Sequence, residues 1–172
     1  MKTLWAPWRM AFIESATKPA SYKSQKSKSS CVFCVAQRGK LSVKSLVVYR
    51  GKQAYVIMNK FPYSNGHLLI IPNRHLSDFS QLTAEEHTEL GLLLSLSRDV
   101  LTQALKAEGF NIGMNLGAIA GAGIREHLHY HMVPRWSGDH NFMPIFAESK
   151  CLPEHLEATY EKLKRVFDKS VI

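Results

Sequence analysis

One long helical pattern divides a chain whose other regular stretches are short and favour β-strands. Thr83 with Glu86 three residues later matches the capping box that begins many helices, and leucines then recur at helical spacing until Gly109. Three β-favouring stretches, separated by turn signals, precede it: 46–49, 54–58 and 67–71. A fourth stretch, 110–116, follows the expected end of the helix. This part of the chain therefore predicts an antiparallel meander, one long helix and a further strand.

The C-terminal part of the chain adds one more strand and a second helix. Residues 126–133 alternate in character as a strand does. Residues 153–169 carry Pro153 in the expected first turn, acidic residues near the start and basic residues near the end. The order is strands, helix, strands, helix. We therefore predict an α+β fold with an antiparallel sheet, one long central helix and a C-terminal helix.

The net charge of +8 is concentrated near the N-terminus. Residues 1–50 hold ten of the 22 Lys and Arg residues and one of the 14 acidic residues, so the rest of the chain is close to neutral. We interpret residues 1–30 as a basic arm and residues 31–172 as a single domain, which is an ordinary domain size. The arm could attract a polyanion, but a solvated segment is the simpler interpretation, and no nucleic-acid partner is expected.

The composition gives no sign of a membrane or secreted protein. No apolar run reaches the roughly 20 residues that span a bilayer, and the N-terminal segment lacks the continuous apolar stretch of a secretory signal. The three cysteines, Cys31, Cys34 and Cys151, do not form the pattern of a disulfide framework. We therefore expect a cytoplasmic protein without a membrane partner.

The most chemically specific feature is a row of histidines at every second position: His127, His129 and His131. On a strand such residues share one face at a spacing of roughly 6.6 Å. The intervening residues, Leu128, Tyr130 and Met132, would then pack against the core. Three imidazoles are poor core material, because each buried ring needs partners for both nitrogens. One metal ion cannot bind all three, since the first and last lie about 13 Å apart on a flat strand.

The interpretation that remains for this row is nucleophilic catalysis by the middle residue, His129. A neutral imidazole can attack an α-phosphorus, form a phosphoramidate and later be displaced by another acceptor. Its two histidine neighbours would set its tautomer and charge. A glycine-rich loop, 117–123, comes just before the histidines and could offer backbone N–H groups to phosphate oxygens.

At this point the sequence resembles a known family. His127-Leu-His-Tyr-His-Met-Val133 is similar to the signature of the histidine-triad (HIT) superfamily. Upstream, Asn59 and the stretch 66–72 resemble the nucleoside-binding strands of that family, and His75 ends a turn similar to its proline–basic–histidine turn. Three flanking stretches are similar to the diadenosine tetraphosphate phosphorylase branch: 4–9, 133–136 and 138–144. The resemblance covers residues 1–168.

The resemblance implies a HIT-like fold and an enzyme that cleaves dinucleoside polyphosphates, with phosphorolysis favoured. His129 would take the nucleoside monophosphate, His131 would contact the phosphate and help protonate the leaving group, and His127 would orient the strand. The implied substrate-binding positions are Asn59, Asn115, Gly123 and Trp136. The acceptor would be inorganic phosphate or water, the assembly a homodimer, and no organic cofactor is implied. Charge at the polyphosphate tail could come from Arg135 or Lys60, and His67 could support the nucleobase pocket or be an ordinary core histidine.

Gly123 departs from the family pattern. Most triad hydrolases carry glutamine four residues before the first histidine, and some phosphorylases carry serine, so one side-chain hydrogen bond is absent or replaced here. This leaves the choice between phosphate and water open. A purine-nucleoside phosphoramidase with the same nucleophile is an alternative enzyme, and a nucleotide-binding sensor or scaffold is an alternative outside enzymes.

Cys31-Val-Phe-Cys34 has the spacing of metal ligands but supplies two of the four that a closed zinc site needs. The resemblance implies His75 and His127 as the other two, because some triad proteins and the related galactose-1-phosphate uridylyltransferase use such a set. That zinc would be structural, since four ligands fill its coordination. The alternatives are two buried thiols that pack as small hydrophobes and, further off, a redox pair.

Overall fold

The computed structural model describes residues 31–139 and 152–170. The basic arm 1–30, most of the flanking stretch 138–144 and Cys151 lie outside the described residues. Within these two ranges, no helix has the length and apolar character needed to cross a membrane.

The described residues form one antiparallel sheet with helices on both faces. In chain order the elements are α1 (Val32–Arg38), β1 (Val47–Arg50), β2 (Ala54–Met58), β3 (Leu68–Pro72), a 3₁₀ turn (Phe79–Gln81), α2 (Ala84–Leu105), β4 (Gly109–Gly113), β5 (Tyr130–Arg135) and α3 (Leu156–Phe167). The strand order is β1-β2-β3-β5-β4, and each neighbouring pair is antiparallel. The predicted α+β class, with its long central helix and its C-terminal helix, is confirmed.

The central strands are buried on both faces because alternate side chains enter two different cores. In β3, Leu68 and Ile70 belong to the larger core, which α2 and α3 close. Leu69 and Ile71 point the other way, into a smaller core that includes Phe33 of α1. We call the two sides of the sheet the helix face and the histidine face.

The long helix begins as predicted but ends earlier. Thr83 Oγ1 accepts from the Glu86 backbone N–H at 3.2 Å, and the Glu86 carboxylate accepts from the Thr83 N–H at 2.9 Å, which is the expected capping box. The helix ends at Leu105 because Lys106 adopts a left-handed conformation, with φ of 56°. The predicted end at Gly109 was wrong, since that glycine is already the first residue of β4.

The strand that carries the histidines is shifted towards the C-terminus relative to the prediction. It begins at Tyr130, so His127 and His129 precede it rather than lying within it. β3 pairs with β5 only as far as Tyr130, and the preceding segment is held instead by the Leu128 N–H, which donates to the Leu76 carbonyl at 2.7 Å. The alternation nevertheless persists, because Leu128 and Met132 are buried in the core of the helix face.

Candidate active site

The three histidines have different surroundings on the histidine face. His129 and His131 line a cavity of about 660 Å³, and their ring centroids lie 4.9 Å apart. His127 is fully buried behind this cavity, beside the two cysteines. The row therefore divides into two rings that can meet a ligand and one that faces a different cluster.

Hydrogen bonding determines which nitrogen of His129 is available to a ligand. Its Nδ1–H donates to the backbone carbonyl of His127 at 2.9 Å, and a carbonyl oxygen can only accept. The lone pair of the neutral ring is therefore on Nε2. Burial lowers the pKa of His129 below its usual range, which keeps the ring neutral. A neutral imidazole with an unprotonated Nε2 on a cavity wall is a nucleophile.

His131 has the opposite tautomer, and His67 fixes it. The Tyr63 backbone N–H donates to His67 Nδ1 at 3.2 Å, so the proton of a neutral His67 is on Nε2. That Nε2–H donates to His131 Nδ1 at 3.0 Å, which leaves the proton of His131 on its own Nε2. Burial, followed by repulsion from His129, lowers the pKa of His131 to about 4. The cavity thus contains one imidazole that can attack and one that donates a hydrogen bond.

The sequence alone did not identify this role of His67. The alternation of β3 could have found it, since His67 lies two residues before Leu69, which pairs with His131. Residues two apart on a strand share a face, so His67 lies on the histidine face. That inference requires the register between β3 and β5, which periodicity within one strand does not give.

The cavity walls are mainly apolar, with a few polar and charged groups. α1 contributes Val32, Phe33 and Ala36, while Leu46 and Ile57 cover the sheet side. The charged lining residues are Lys44 and Lys60. An apolar cleft with convergent polar groups and two basic side chains suits a ligand that combines a flat apolar part with an anionic part.

Three of the four predicted substrate-binding residues line this cavity: Asn59, Asn115 and Gly123. Asn59 already has local partners, because its Oδ1 accepts from the Phe61 N–H at 2.9 Å and its Nδ2 lies 3.3 Å from His67 Nδ1. Its side chain therefore supports the loop and His67 in this structure.

The structure places Trp136 in a different cavity. Its indole N–H donates to the Leu105 carbonyl at 3.1 Å, where it covers the end of α2. The physical reason is that β5 carries the chain away from His131, so the residue after its last position lies at the far end of the sheet. Arg135 also lies there and pairs with Asp139, whereas Lys60 lines the histidine cavity.

The four predicted metal ligands converge. One donor atom from each of Cys31, Cys34, His75 and His127 lies within 4.8 Å of all the others. The His127 Nδ1 is 3.5 Å from each sulfur, and the His75 Nδ1 is 3.3 Å from Cys34 Sγ and from His127 Nδ1. Four such donors at these separations can bind one ion.

A hydrogen bond to the backbone directs the unprotonated nitrogen of His127 towards that cluster. Its Nε2–H donates to the Pro72 carbonyl at 2.9 Å, so the lone pair is on Nδ1, which faces the cysteines. Burial lowers the pKa of His127 to about 4 and keeps the ring neutral, as a metal ligand must be.

Sequence comparison identifies the family. The model of the HIT domain matches residues 40–138, more than half of the chain. The chain belongs to the HIT family. The predicted resemblance is confirmed, and so is its branch: an AP-4-A phosphorylase from Mycobacterium tuberculosis (strain CDC 1551 / Oshkosh) is 37% identical over 159 residues, covering 92% of this chain and 80% of that protein.

Two further HIT relatives extend the comparison. A bis(5'-nucleosyl)-tetraphosphatase (asymmetrical) from Schizosaccharomyces pombe is 30% identical over 128 residues, covering 74% of this chain and 66% of that protein. A Zn-bound histidine triad family protein from Mycobacterium smegmatis superposes with a TM-score of 0.66 at 24% identity, covering 83% of this chain and 96% of that chain. The second match supports the HIT fold of the described residues.

Proposed function

We propose that the protein is a nucleotidyl transferase that cleaves dinucleoside polyphosphates of the diadenosine tetraphosphate type, and that it favours inorganic phosphate over water as acceptor. The observation that carries the proposal is the pair of opposite tautomers, an unprotonated Nε2 on His129 beside a protonated Nε2 on His131. The 37% identity to an AP-4-A phosphorylase supports the choice of substrate.

The first step forms a bond between His129 Nε2 and the α-phosphorus. The bond from that phosphorus to its bridging oxygen breaks, and the oxygen leaves with the bonding electrons and the rest of the polyphosphate. His131 donates a hydrogen bond from its Nε2–H to the leaving oxygen, which offsets the developing negative charge while the proton stays on His131. The His127 carbonyl accepts from His129 Nδ1–H, which stabilises the positive charge that the ring gains.

The second step frees the enzyme. An oxygen of inorganic phosphate attacks the phosphorus of nucleotidyl-His129, the N–P bond breaks, and its electrons return to Nε2. With diadenosine tetraphosphate the products of the two steps are ATP and ADP, whereas water as acceptor gives ATP and AMP. Lys44 and Lys60 supply positive charge on the cavity wall where the anionic part of the substrate would lie.

Gly123 supports the preference for phosphate. It lines the cavity, and a Cβ built on it would meet no atom of the described residues within 4 Å. At the position where triad hydrolases carry a glutamine side chain, this chain has open space. That space can take an acceptor larger than water.

Zinc is the ion that we propose for the four-residue cluster. Ligands at about 2.3 Å for sulfur and about 2.0–2.1 Å for nitrogen around a tetrahedral zinc lie about 3.5 Å apart for S and N and about 3.3 Å apart for two nitrogens. The two S–N separations to His127, both 3.5 Å, and the N–N separation of 3.3 Å agree with this geometry, and the S–N separation from Cys34 to His75, 3.3 Å, is slightly shorter. Zinc would be structural here, because the four residues fill its coordination. Metal analysis of the purified protein should find about one zinc per chain.

A homodimer and a cytoplasmic location complete the proposal. β4 is an outer strand whose Asn111–Gly113 are exposed, and Ile112 is 50% exposed. Such an edge favours pairing with another strand. Light scattering should give twice the chain mass, and Ile112→Lys should lower the measured mass towards that of one chain.

The proposed cytoplasmic location is supported by two buried thiols, Cys31 and Cys34, which suit a reducing compartment.

The test is product analysis with diadenosine tetraphosphate, with and without excess inorganic phosphate. ATP plus ADP that depends on phosphate is the expected result. ATP plus AMP whatever the phosphate concentration would make the protein a hydrolase. Cleavage of adenosine 5'-phosphoramidate without cleavage of diadenosine tetraphosphate would replace the proposal by a phosphoramidase, and binding without any turnover would indicate a sensor.

A further inference from the structure

The helix α1 lies between the metal cluster and the histidine cavity. It begins directly after Cys31 and contains Cys34, while Val32, Phe33 and Ala36 of the same helix line the cavity. It precedes residues 40–138, the part that matches the HIT domain model. One short element thus connects a cluster that includes His75 and His127 with the wall of the candidate active site.

α1 depends on its attachments, because seven residues are too few for a helix to be stable alone. The Cys31 side chain, at the N-cap position, makes no capping hydrogen bond. Tyr55 donates its hydroxyl to the Phe33 carbonyl at 2.8 Å, and Arg50 donates to the Ala36 carbonyl at 3.0 Å. At the start of α1, Phe33 packs in the smaller core and the two cysteines lie in the cluster, so an ion there would add a further attachment at the end of the helix that faces the cavity.

Phe33 connects α1 to His129, the residue that we propose as the nucleophile. Its ring centroid lies 5.0 Å from that of His129 and 5.7 Å from that of His127. Val32, one residue earlier, is 51% exposed although it is apolar, and it faces the cavity. A bound nucleoside would cover Val32, so burial of Val32 would contribute to affinity only while α1 is held in place, whereas Phe33 is already buried and fixes the position of the helix.

The segment that holds the nucleophile has attachments of its own. The Leu128 N–H donates to the Leu76 carbonyl at 2.7 Å, and His127 Nε2–H donates to the Pro72 carbonyl at 2.9 Å. Neither bond needs an ion. Removal of the metal should therefore loosen α1 more than it displaces His129.

We propose that metal binding and nucleotide binding are coupled through α1: zinc in the cluster holds Val32 and Phe33 against the cavity, and a nucleoside covered by these residues in turn stabilises the zinc site. The proposal rests on the proposed function, because that function supplies the nucleotide. Coupling between two sites is reciprocal, so each ligand changes the affinity of the other by the same factor.

The first experiment measures AMP binding by calorimetry to the zinc-loaded, metal-free and reloaded protein. We expect about 10-fold weaker binding without zinc and recovery on reloading, within the range typical of coupled sites. Zinc affinity, measured by competition with a chromophoric chelator, should rise by the same factor when the protein is saturated with AMP. Adenosine, which has no phosphate to contact the metal, should shift the zinc affinity in the same direction. Equal AMP affinity with and without zinc would overturn the proposal.

A matched pair of variants tests whether the coupling between zinc and nucleotide depends on α1 or on another part of the structure. Val32 and Val35 lie on the same helix and are 51% and 54% exposed, but Val35 does not line the cavity. In Val32→Ser we expect about 5-fold weaker AMP binding and a reduced zinc effect, while Val35→Ser behaves as wild type. The same zinc effect in both variants would show that the metal acts through His127 instead, and would refute the role of α1.

Hydrogen exchange gives a readout without a nucleotide. Metal removal should increase the exchange of amides in α1 while residues 127–131 remain protected, and unchanged exchange in α1 would contradict the proposal. If the metal-free protein does not stay folded, equal AMP affinities of zinc-loaded Val32→Ser and Val35→Ser would overturn it. Zinc-dependent AMP binding in a protein that leaves diadenosine tetraphosphate intact would uphold the coupling and refute the proposed function.

Discussion

The two faces of the sheet are covered in different ways. On the helix face, α2 and α3 close a core of fully buried side chains such as Leu93 and Leu163. On the histidine face, the described residues that cover the sheet are a seven-residue helix and several loops, and a cavity lies between them. The larger apolar core lies on the first face, whereas the second combines a smaller apolar core with directed hydrogen bonds and the Cys–His cluster. Stability and chemistry are therefore carried by opposite sides of the same strands, and substitutions should separate them.

The largest expected effect is on chemistry alone. His129→Asn removes the proposed nucleophile, so we expect diadenosine tetraphosphate cleavage to fall by at least about 10³-fold while AMP binding and the melting temperature are retained. Single-turnover assays with calorimetry on the same sample check this. Cleavage at the wild-type rate would show that His129 does not form the covalent bond.

The next effect is on stability alone. Leu93 on the helix face is fully buried, so Leu93→Ala should lower the free energy of unfolding by about 2–5 kcal/mol and leave the activity of the folded fraction unchanged. Leu92, the neighbouring residue, is 48% exposed, and Leu92→Ala should change stability by less than about 0.5 kcal/mol. Urea denaturation measures both. A clear loss of kcat in folded Leu93→Ala would show that the helix face affects catalysis as well as stability.

A smaller effect tests the hydrogen-bond chain from His67 to His131. His67→Asn should lower kcat by about 10- to 100-fold with little change in KM, because His131 is no longer held with its proton on Nε2. ¹⁵N spectra of the imidazoles report the tautomer directly. If kcat falls while His131 keeps its wild-type tautomer, His67 acts by another route.

Gly123→Gln should shift the choice of acceptor by a few-fold. The side chain enters open space beside the cavity, so we expect a folded protein that forms more AMP and less ADP from diadenosine tetraphosphate. Gly91→Gln, on an exposed site of α2 where a Cβ also meets nothing within 4 Å, serves as the control. An unchanged ratio of AMP to ADP would show that Gly123 does not influence the choice between phosphate and water.

The smallest effect is a pH dependence of stability. Burial lowers the pKa of His131 from 6.5 to about 4, so the folded state favours the neutral ring. This contribution is fully present above about pH 6.5 and is lost as the pH falls towards about 4, because the unfolded chain then binds the proton first. The melting temperature should drop less on acidification in His131→Gln than in wild type. An equal drop in both would mean that other groups dominate.

The sequence predicted the features that depend on the spacing of neighbouring residues better than those that depend on the pairing of distant strands. The capping box at Thr83 and the shared face of the histidines follow from spacing, and both are present. The start of β5 at Tyr130, the place of Trp136 and the contact between His67 and His131 depend on where β3 and β5 stop pairing. The cluster partners His75 and His127 came from family resemblance, because a Cys-x-x-Cys pair does not specify distant ligands.

The ring of His127 lies in the proposed metal cluster, and its backbone carbonyl accepts from His129, the proposed nucleophile. Every amino acid has that carbonyl, so no replacement at position 127 can delete the acceptor that orients His129. A point mutation at 127 can thus loosen this segment, because it removes the side-chain bond to Pro72, but it leaves the acceptor in place. An insertion or deletion between the two histidines would instead move the acceptor itself, because it changes the path of the chain.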